Sequence, residues 1–278
     1  MQQFHLFVAN YSYKPIKKRF TVLACICLVA TIVQIVVSLE YLKAAGFLEG
    51  YSNDFQLGLN VTLKESPFFA IYPKTVFAVT VFYHHFTPVA LCIFICSIYL
   101  TFKQSVKAFS DRIKSEQSKR STDIDWCASS FNRMTEIMSK VEDLLSGVTL
   151  LMYGILMANQ LCVITHCIIS DMNSHPMSII MESLLTIKNI TVFFALTLTG
   201  CSVAEEMQVV CNEIRRLTSE SRRDFEKVSL LMQNVSSTSL YFTAWKMFSL
   251  KRSLILTTAS VMISYAMLLM QFAQQKTD

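Results

Sequence analysis

The chain has 278 residues, of which 53% are hydrophobic and only 16% are charged, and its mean hydropathy is +0.42. A soluble globular domain is less apolar and more charged, so this composition predicts a membrane protein. The net charge of +5 does not indicate a nucleic-acid-binding protein, because the basic residues are grouped beside apolar segments, as they are in membrane proteins.

Five apolar segments are long enough to cross a bilayer, which takes about 20 mostly apolar residues. They run from Phe20 to Leu39, Val76 to Phe102, Leu144 to Ser170, Ile179 to Ala204 and Ser253 to Phe272. The first segment is longer than the apolar part of a signal peptide and has no small-residue cleavage site after it, so we expect it to stay in the mature chain. The sequence therefore predicts an all-α polytopic membrane helix bundle with five transmembrane helices.

The basic residues also predict the orientation of these helices. Lys and Arg are concentrated before the first segment, after the second and after the fourth, and such regions are normally cytoplasmic. The N-terminus is then cytoplasmic, and after five crossings the tail from Ala273 to Asp278 is extracellular. The stretch from Glu40 to Thr75 faces outside and contains the sequon Asn60-Val61-Thr62, so Asn60 is a predicted glycosylation site.

Two long inner segments, Lys103 to Asp143 and Glu205 to Lys251, contain no Gly or Pro and are rich in helix formers. We expect both to be helices that continue below the membrane. The second carries apolar residues at spacings of three and four: Val209, Val210, Ile214, Leu217, Phe225, Val228, Leu231 and Met232. This stripe either packs on a neighbouring helix of the same chain or joins subunits. The basic residues beside it are suited to anionic lipid headgroups.

The elements divide the chain into five predicted regions. Residues 1–103 hold two transmembrane helices and the extracellular loop, and 104–143 form a cytoplasmic helical segment. Residues 144–204 form a transmembrane helix pair, 205–251 form cytoplasmic anchor helices, and 252–278 form the last helix with its extracellular tail.

Several polar side chains interrupt the apolar segments, where exposure to lipid is unfavourable and an orientation toward the bundle interior is expected. On the second to fourth segments these are Tyr83, His84, His85, Thr87, Asn159, Gln160, Thr165, His166, Glu182, Thr186, Lys188 and Asn189. The ligand-pocket candidates among them are Tyr83, His84, His85, Asn159, Gln160, His166 and Glu182. All fall in the predicted outer half of the membrane, where they can line a cup that binds a small ligand by a few hydrogen bonds. The alternative is that they hydrogen-bond one another between helices, or that Glu182 only reaches the interface.

Enzyme and metal motifs are missing from the sequence. There is no Gly-rich phosphate loop, no HExxH and no Gly-x-Ser-x-Gly motif, so we predict neither an enzyme nor a cofactor. The neighbouring residues His84 and His85 project about 100° apart on a helix and are poorly placed to bind one metal ion. Most of the nine cysteines lie in or beside apolar segments, which favours buried thiols over a metal site or disulfides.

The C-terminal region carries the most specific pattern in the chain. The stretch from Ser264 to Phe272 reads Ser-Tyr-Ala-Met-Leu-Leu-Met-Gln-Phe and resembles the C-terminal signature of the insect gustatory receptor family, which usually begins with Thr. The resemblance continues upstream through Phe242-Thr243-Ala244, Phe248, Leu250 and Arg252-Ser253-Leu254. Lys246 differs from the family pattern, in which a small residue, often Gly, is common at this position.

This resemblance implies a seven-helix chemoreceptor channel of the plasma membrane, of which the chain matches the last five helices. We therefore expect either a chain that lacks two upstream helices or a shortened relative. The implied function is a ligand-gated, nonselective cation channel that responds to a small tastant. It would be a tetramer of identical or related subunits, joined mainly by the cytoplasmic helices.

The resemblance also implies that the last helix lines the pore. By themselves, Gln271 and Phe272 at a helix end would be expected only to lie at the membrane interface. In a pore, four copies of Gln271 would form a polar ring, Phe272 would supply an apolar gate, and Tyr265 would pack against a neighbouring helix. The alternative functions are a polytopic membrane transporter and a non-conducting accessory subunit.

Overall fold

The computed structural model describes residues 67–118, 124–169, 176–220, 225–237 and 241–275, together with the single helical positions Val29, Ile32 and Val36. These ranges contain five helices: α1 (Pro67–Ser118), α2 (Ile124–Ile169), α3 (Pro176–Glu220), α4 (Phe225–Ser237) and α5 (Ser253–Gln275). A two-stranded hairpin lies between α4 and α5. The all-α class predicted from the sequence is confirmed, and Asn60 lies outside the described residues.

Four of the described helices, α1, α2, α3 and α5, are long and apolar enough to cross a membrane. They correspond to the second to fifth predicted segments, whereas the first, Phe20 to Leu39, lies outside the described residues apart from its three helical positions. At a rise of about 1.5 Å per residue, α1, α2 and α3 are roughly twice as long as the hydrocarbon thickness. The helices therefore extend beyond the bilayer, as the sequence predicted.

The chain divides into two compact units. The first contains the described residues within Phe94–Ile155 and Phe193–Val261, and the second contains those within Lys18–Ile93, Leu156–Val192 and Met262–Asp278. The first unit has a helical core in which α1 contributes residues at alternating spacings of four and three: Ile95, Tyr99, Phe102, Val106, Phe109 and Ile113. Such spacing keeps one apolar face toward neighbouring helices, as in a coiled coil.

The same pattern recurs on α2 and α3 within the first unit. On α2 the buried positions are Cys127, Phe131, Met134, Met138, Leu145 and Met152, and on α3 they are Leu196, Val203, Met207, Val210 and Ile214. These spacings are again three, four or seven residues. The three helices therefore pack through complementary apolar seams, which explains how regular helices continue beyond the membrane-spanning length.

The expectation of helix throughout Glu205 to Lys251 is wrong. Strand β1 (Thr243–Ala244) pairs antiparallel with β2 (Phe248–Ser249), and Trp245 and Lys246 in the turn have positive φ values of 46° and 59°. Tertiary contacts outweigh helix propensity here. The Trp245 N–H donates to the Ser146 carbonyl at 3.2 Å, and the Phe242 ring stacks on Tyr99 with 4.6 Å between ring centroids.

Candidate functional site

Two of the predicted site residues meet in the second unit. His166, in the last turn of α2, has its Nδ1 3.4 Å from Oε1 of Glu182 near the start of α3. The pair carries opposite charges when His166 is protonated. The other carboxylate oxygen of Glu182, Oε2, is buried and has no hydrogen-bond partner. One side of this carboxylate therefore pairs with His166, and the other can still accept a hydrogen bond.

Two asparagines lie on the same helix faces as this pair. Asn159 is seven residues before His166 on α2, and Asn189 is seven residues after Glu182 on α3. Seven residues are about two helical turns, roughly 10 Å along the axis, and return a side chain to nearly the same face. We call Asn159, His166, Glu182 and Asn189 the α2–α3 polar cluster.

The amides of this cluster lack protein partners. Asn189 is only 3% exposed, and neither its Nδ2 nor its Oδ1 makes a hydrogen bond; Nδ2 of Asn159 is likewise buried and unpartnered. Nearly all buried polar groups in proteins are hydrogen-bonded, and an unpaired one costs about 1–3 kcal/mol. Oε1 of Gln160, beside Asn159, is in the same condition. The site thus offers unpaired donors and acceptors inside an apolar helix pair.

Asn189 was one of several polar residues expected to face the bundle interior from the fourth segment, but the sequence did not single it out as a ligand-pocket residue. It is an amide inside an apolar segment, like Asn159, but nothing in its local sequence distinguishes it from an interhelical hydrogen-bonding residue. The signal that could have distinguished it is its spacing of seven residues from Glu182, which places both side chains on one helix face. Its lack of a partner is visible only once the helices are packed.

The last helix contacts α2 next to this cluster. The Thr165 hydroxyl donates to the Leu161 carbonyl at 2.8 Å, so it accepts the hydrogen bond from the Tyr265 hydroxyl at 2.9 Å. Thr165 is the neighbour of His166 in sequence. Tyr265 on α5 is therefore tied to the turn of α2 that carries His166.

No side chain of α5 is buried within the chain. Gln271 is exposed, and Phe272 is 62% exposed. The large apolar residues exposed on the same helix are Leu256, Val261, Ile263, Met267, Leu268 and Met270. A helix this apolar is covered by lipid or by another protein surface, because so much apolar area is unfavourable in water.

The start of α5 is fixed in the first unit. Leu250 is fully buried, and its carbonyl lies 3.4 Å from the Cys201 thiol on α3. Arg252 forms an ion pair with Glu205 at 2.7 Å. The hairpin and the residues after it therefore attach the first turn of α5 to α3.

The structure describes only the backbone at the predicted site residues on α1. Tyr83, His84 and His85 lie on the helical backbone of α1, but their side chains are outside the described part of the structure. Among the residues that are described, no group of three or more His, Cys, Asp or Glu side chains could hold a metal ion. In the same ranges the free cysteines Cys92, Cys96, Cys127, Cys201 and Cys211 are buried, whereas Cys162 and Cys167 are exposed.

Comparisons with known proteins agree on one family of folds. The family model described as 7tm Chemosensory receptor matches residues 4–276. Among solved structures, the insect olfactory receptor OR5 from Machilis hrabei is similar, with a TM-score of 0.66 at 15% identity over 91% of this chain and 66% of that receptor. The same receptor in complex with eugenol gives a TM-score of 0.53 at 14% identity, over 92% of this chain and 69% of that one. The chain thus spans about two thirds of the receptor's length. No curated protein sequence matches.

Proposed function

We infer the function of this chain from its family, because it belongs to the 7tm chemosensory receptors. It is a multi-pass membrane protein of that family. We propose that it is a gustatory-receptor-like subunit of a ligand-gated, nonselective cation channel at the plasma membrane, with a small tastant as its ligand. The signature at the end of α5 supports the gustatory assignment.

The ligand site in this proposal is the α2–α3 polar cluster, with Gln160 and the α1 candidates Tyr83, His84 and His85 as further lining residues. The observation that carries it is the buried, unpartnered amide of Asn189. A ligand with both a donor and an acceptor group would satisfy this amide and gain hydrogen bonds worth more in a dry site than in water. The OR5 structure in complex with eugenol supports a small-molecule ligand for this fold.

The channel part of the proposal rests on α5. Four copies of this helix around a symmetry axis would cover one another and enclose a path for cations, with Gln271 as a polar ring and Phe272 as an apolar gate. Ligand binding beside His166 would act on the Tyr265–Thr165 hydrogen bond. A ligand shifts the gate only by its difference in affinity between the closed and open states.

We propose that the anchor helices also contribute to contacts between subunits. Within the subunit, Val210, Ile214 and Leu231 of the apolar stripe are buried, and Met232 lies 3.3 Å from the Thr218 hydroxyl. The stripe thus packs in part on its own chain. Leu230 is 57% exposed and Val209 is 39% exposed, so these two residues are the better candidates for contacts between subunits.

The variant Asn189→Leu tests whether the Asn189 amide binds a ligand or instead forms a hydrogen bond between helices. If the amide is kept for a ligand, Asn189→Leu removes unpaired polar atoms and should raise the stability of the unliganded protein by about 1–3 kcal/mol. The same change should abolish ligand-evoked current. If the amide instead joins helices, both stability and current should fall.

Stability is measured in detergent, as the loss of the size-exclusion peak after the protein is heated. Ligand response is measured as whole-cell current in cells exposed to a panel of small compounds that carry hydroxyl and carbonyl groups. The matched control is Ile190→Leu, because Ile190 is the next residue, is 47% exposed and lies on a different helix face. This control should leave both readouts unchanged. A lower unfolding temperature for Asn189→Leu would contradict the proposed ligand site.

A further inference from the structure

The turn of the β-hairpin presents two large apolar side chains outward. Trp245 is 66% exposed and Met247 is 73% exposed, whereas Ala244 and Leu250 on either side are fully buried. Between them, the Lys246 side chain is 77% exposed. We call Trp245, Lys246 and Met247 the hairpin tip.

The backbone of the tip is unfavourable for the residues it carries. Trp245 and Lys246 both occupy the left-handed region, with φ of 46° and 59°. This conformation costs a non-glycine residue roughly 1–2 kcal/mol and is uncommon for a bulky side chain. The chain covers only about a third of the Trp245 surface, so packing within the subunit offsets little of this cost.

The ends of the apolar segments on α2, α3 and α5 indicate the depth of the hairpin tip relative to the membrane. The Trp245 N–H donates to the carbonyl of Ser146, the third residue of the apolar segment that begins at Leu144. Arg252 pairs with Glu205, the first residue after the apolar segment that ends at Ala204. The apolar helix α5 begins at Ser253. The hairpin therefore lies where three hydrophobic segments end, at the boundary between hydrocarbon and headgroups.

We propose that the hairpin tip is a lipid anchor that inserts the Trp245 indole and the Met247 side chain among the phospholipid headgroups and glycerol groups. Tryptophan prefers this layer because its ring is apolar while its N–H can still donate a hydrogen bond. The Lys246 ammonium would extend to the phosphate oxygens above the buried stem.

A bilayer suits the tip better than a protein partner does. Lys246 pairs with Asp143, whose carboxylate is 3.8 Å away and 65% exposed, so solvent screens this ion pair and it contributes little. A protein interface would bury the ammonium between two apolar groups at a large desolvation cost, whereas the headgroup layer supplies phosphate and water. The lipid contact is independent of the proposed channel function.

The chain has only two tryptophans, which makes the contact measurable. Trp126 lies on the α2 extension, with the Arg112 guanidinium 4.3 Å from its ring centroid. In Trp126→Phe, Trp245 is the sole tryptophan, so the tryptophan emission comes from this residue alone. This variant of the full chain would be reconstituted into phosphatidylcholine vesicles with a nitroxide either on the choline headgroup or in the middle of the acyl chain.

The headgroup nitroxide should quench Trp245 emission at least about twofold more than the acyl-chain nitroxide, as expected for an interfacial indole. The matched control is Trp245→Phe, in which the remaining Trp126 should be quenched weakly by both lipids. Equal weak quenching of Trp245 would overturn the proposal, because it would place the indole in water or between subunits. Stronger quenching by the acyl-chain label would overturn it too.

Should Trp126→Phe fail to fold, fluorotryptophan can be incorporated into the unmutated chain. Its two fluorine resonances are assigned with Trp245→Phe. The Trp245 resonance should be broadened selectively by the headgroup nitroxide, and an unbroadened resonance would reject the anchor.

Discussion

Gly200→Ala is expected to loosen the attachment of α5 at its start. An alanine Cβ at this position would lie 2.7 Å from Cδ1 and 3.3 Å from Cβ of Leu250, which is fully buried. Cδ1 can rotate away, but Leu250 Cβ must move with its backbone. Leu250 would therefore shift, and the turn that leads into α5 would shift with it.

The size of the effect follows from two opposing terms. Alanine is favoured over glycine inside a helix by about 0.5–1 kcal/mol, whereas an extra methyl group in a filled core costs about 1–3 kcal/mol. The net destabilisation should be about 1 kcal/mol, or roughly 2–4 °C in unfolding temperature. Gly154→Ala is the matched control, because nothing lies within 4 Å of the added Cβ. It should be neutral or slightly stabilising.

The assay combines thermal unfolding with mass-spectrometric measurement of alkylation at Cys201. The Cys201 thiol is buried and lies 3.4 Å from the Leu250 carbonyl, so a displaced Leu250 should make it react faster. Cys127, buried elsewhere in the first unit, serves as the internal reference. If Gly200→Ala is as stable as Gly154→Ala and Cys201 reacts no faster, then the position of Leu250 does not require a glycine at residue 200.

Three further predictions concern residues that the sequence predicts to lie in the outer half of the membrane or outside it. Tyr265→Phe removes the hydrogen bond to Thr165, worth about 1 kcal/mol, and should shift the half-maximal ligand concentration without changing surface expression; an unchanged dose response would contradict the proposed coupling. Gln271→Glu should increase cation permeability and block by divalent cations, whereas Gln271→Lys should reduce the cation current. Reversal potentials and current amplitudes measure both effects. If both variants have the permeability of the wild-type channel, Gln271 does not line the ion path. Asn60→Gln should abolish a glycosylation-dependent gel shift, and an epitope after Asp278 should be labelled on intact cells, so labelling only after permeabilisation would reverse the orientation.

The membrane helices could be predicted from sequence because length and apolar content decide them. About 20 apolar residues suffice to identify a span, and the described helices α1, α2, α3 and α5 follow the predicted segments. The helical extension of α1 was also predictable, because its buried residues recur at spacings of three and four. These features depend on local composition and periodicity, which a single sequence contains.

The hairpin could not be predicted, because its stability comes from distant residues. Nothing between Glu205 and Lys251 is a Gly or Pro, and the turn uses Trp245 and Lys246 instead. The contacts that favour it are the Ser146 carbonyl, about 100 positions away in sequence, and the Tyr99 ring. Local propensity gives no sign of either contact.

The sequence could identify residues of the candidate site, but it could not show which of them pair. His166 and Glu182 were each identifiable as ionisable residues in apolar surroundings, since the rarity of such groups in a membrane makes them functional candidates. Their pairing depends on how α2 packs on α3. Asn189 was one of several polar residues expected in the fourth segment. Whether its amide is satisfied depends on the same packing, so only the structure distinguishes it from the others.

Contacts at two places connect α5 to the rest of its subunit. No side chain of the helix is fully buried within its subunit. It is attached at its start through Leu250 and Arg252, and further along by the Tyr265–Thr165 hydrogen bond. A hydrogen bond of about 1 kcal/mol corresponds to a roughly fivefold change in a two-state population. A ligand beside Thr165 that changed the strength of this hydrogen bond by that amount would shift the population of α5 positions by the same factor. Because the start of the helix is fixed and Gln271 lies about 9 Å beyond Tyr265 along the axis, the displacement would be largest at the proposed constriction.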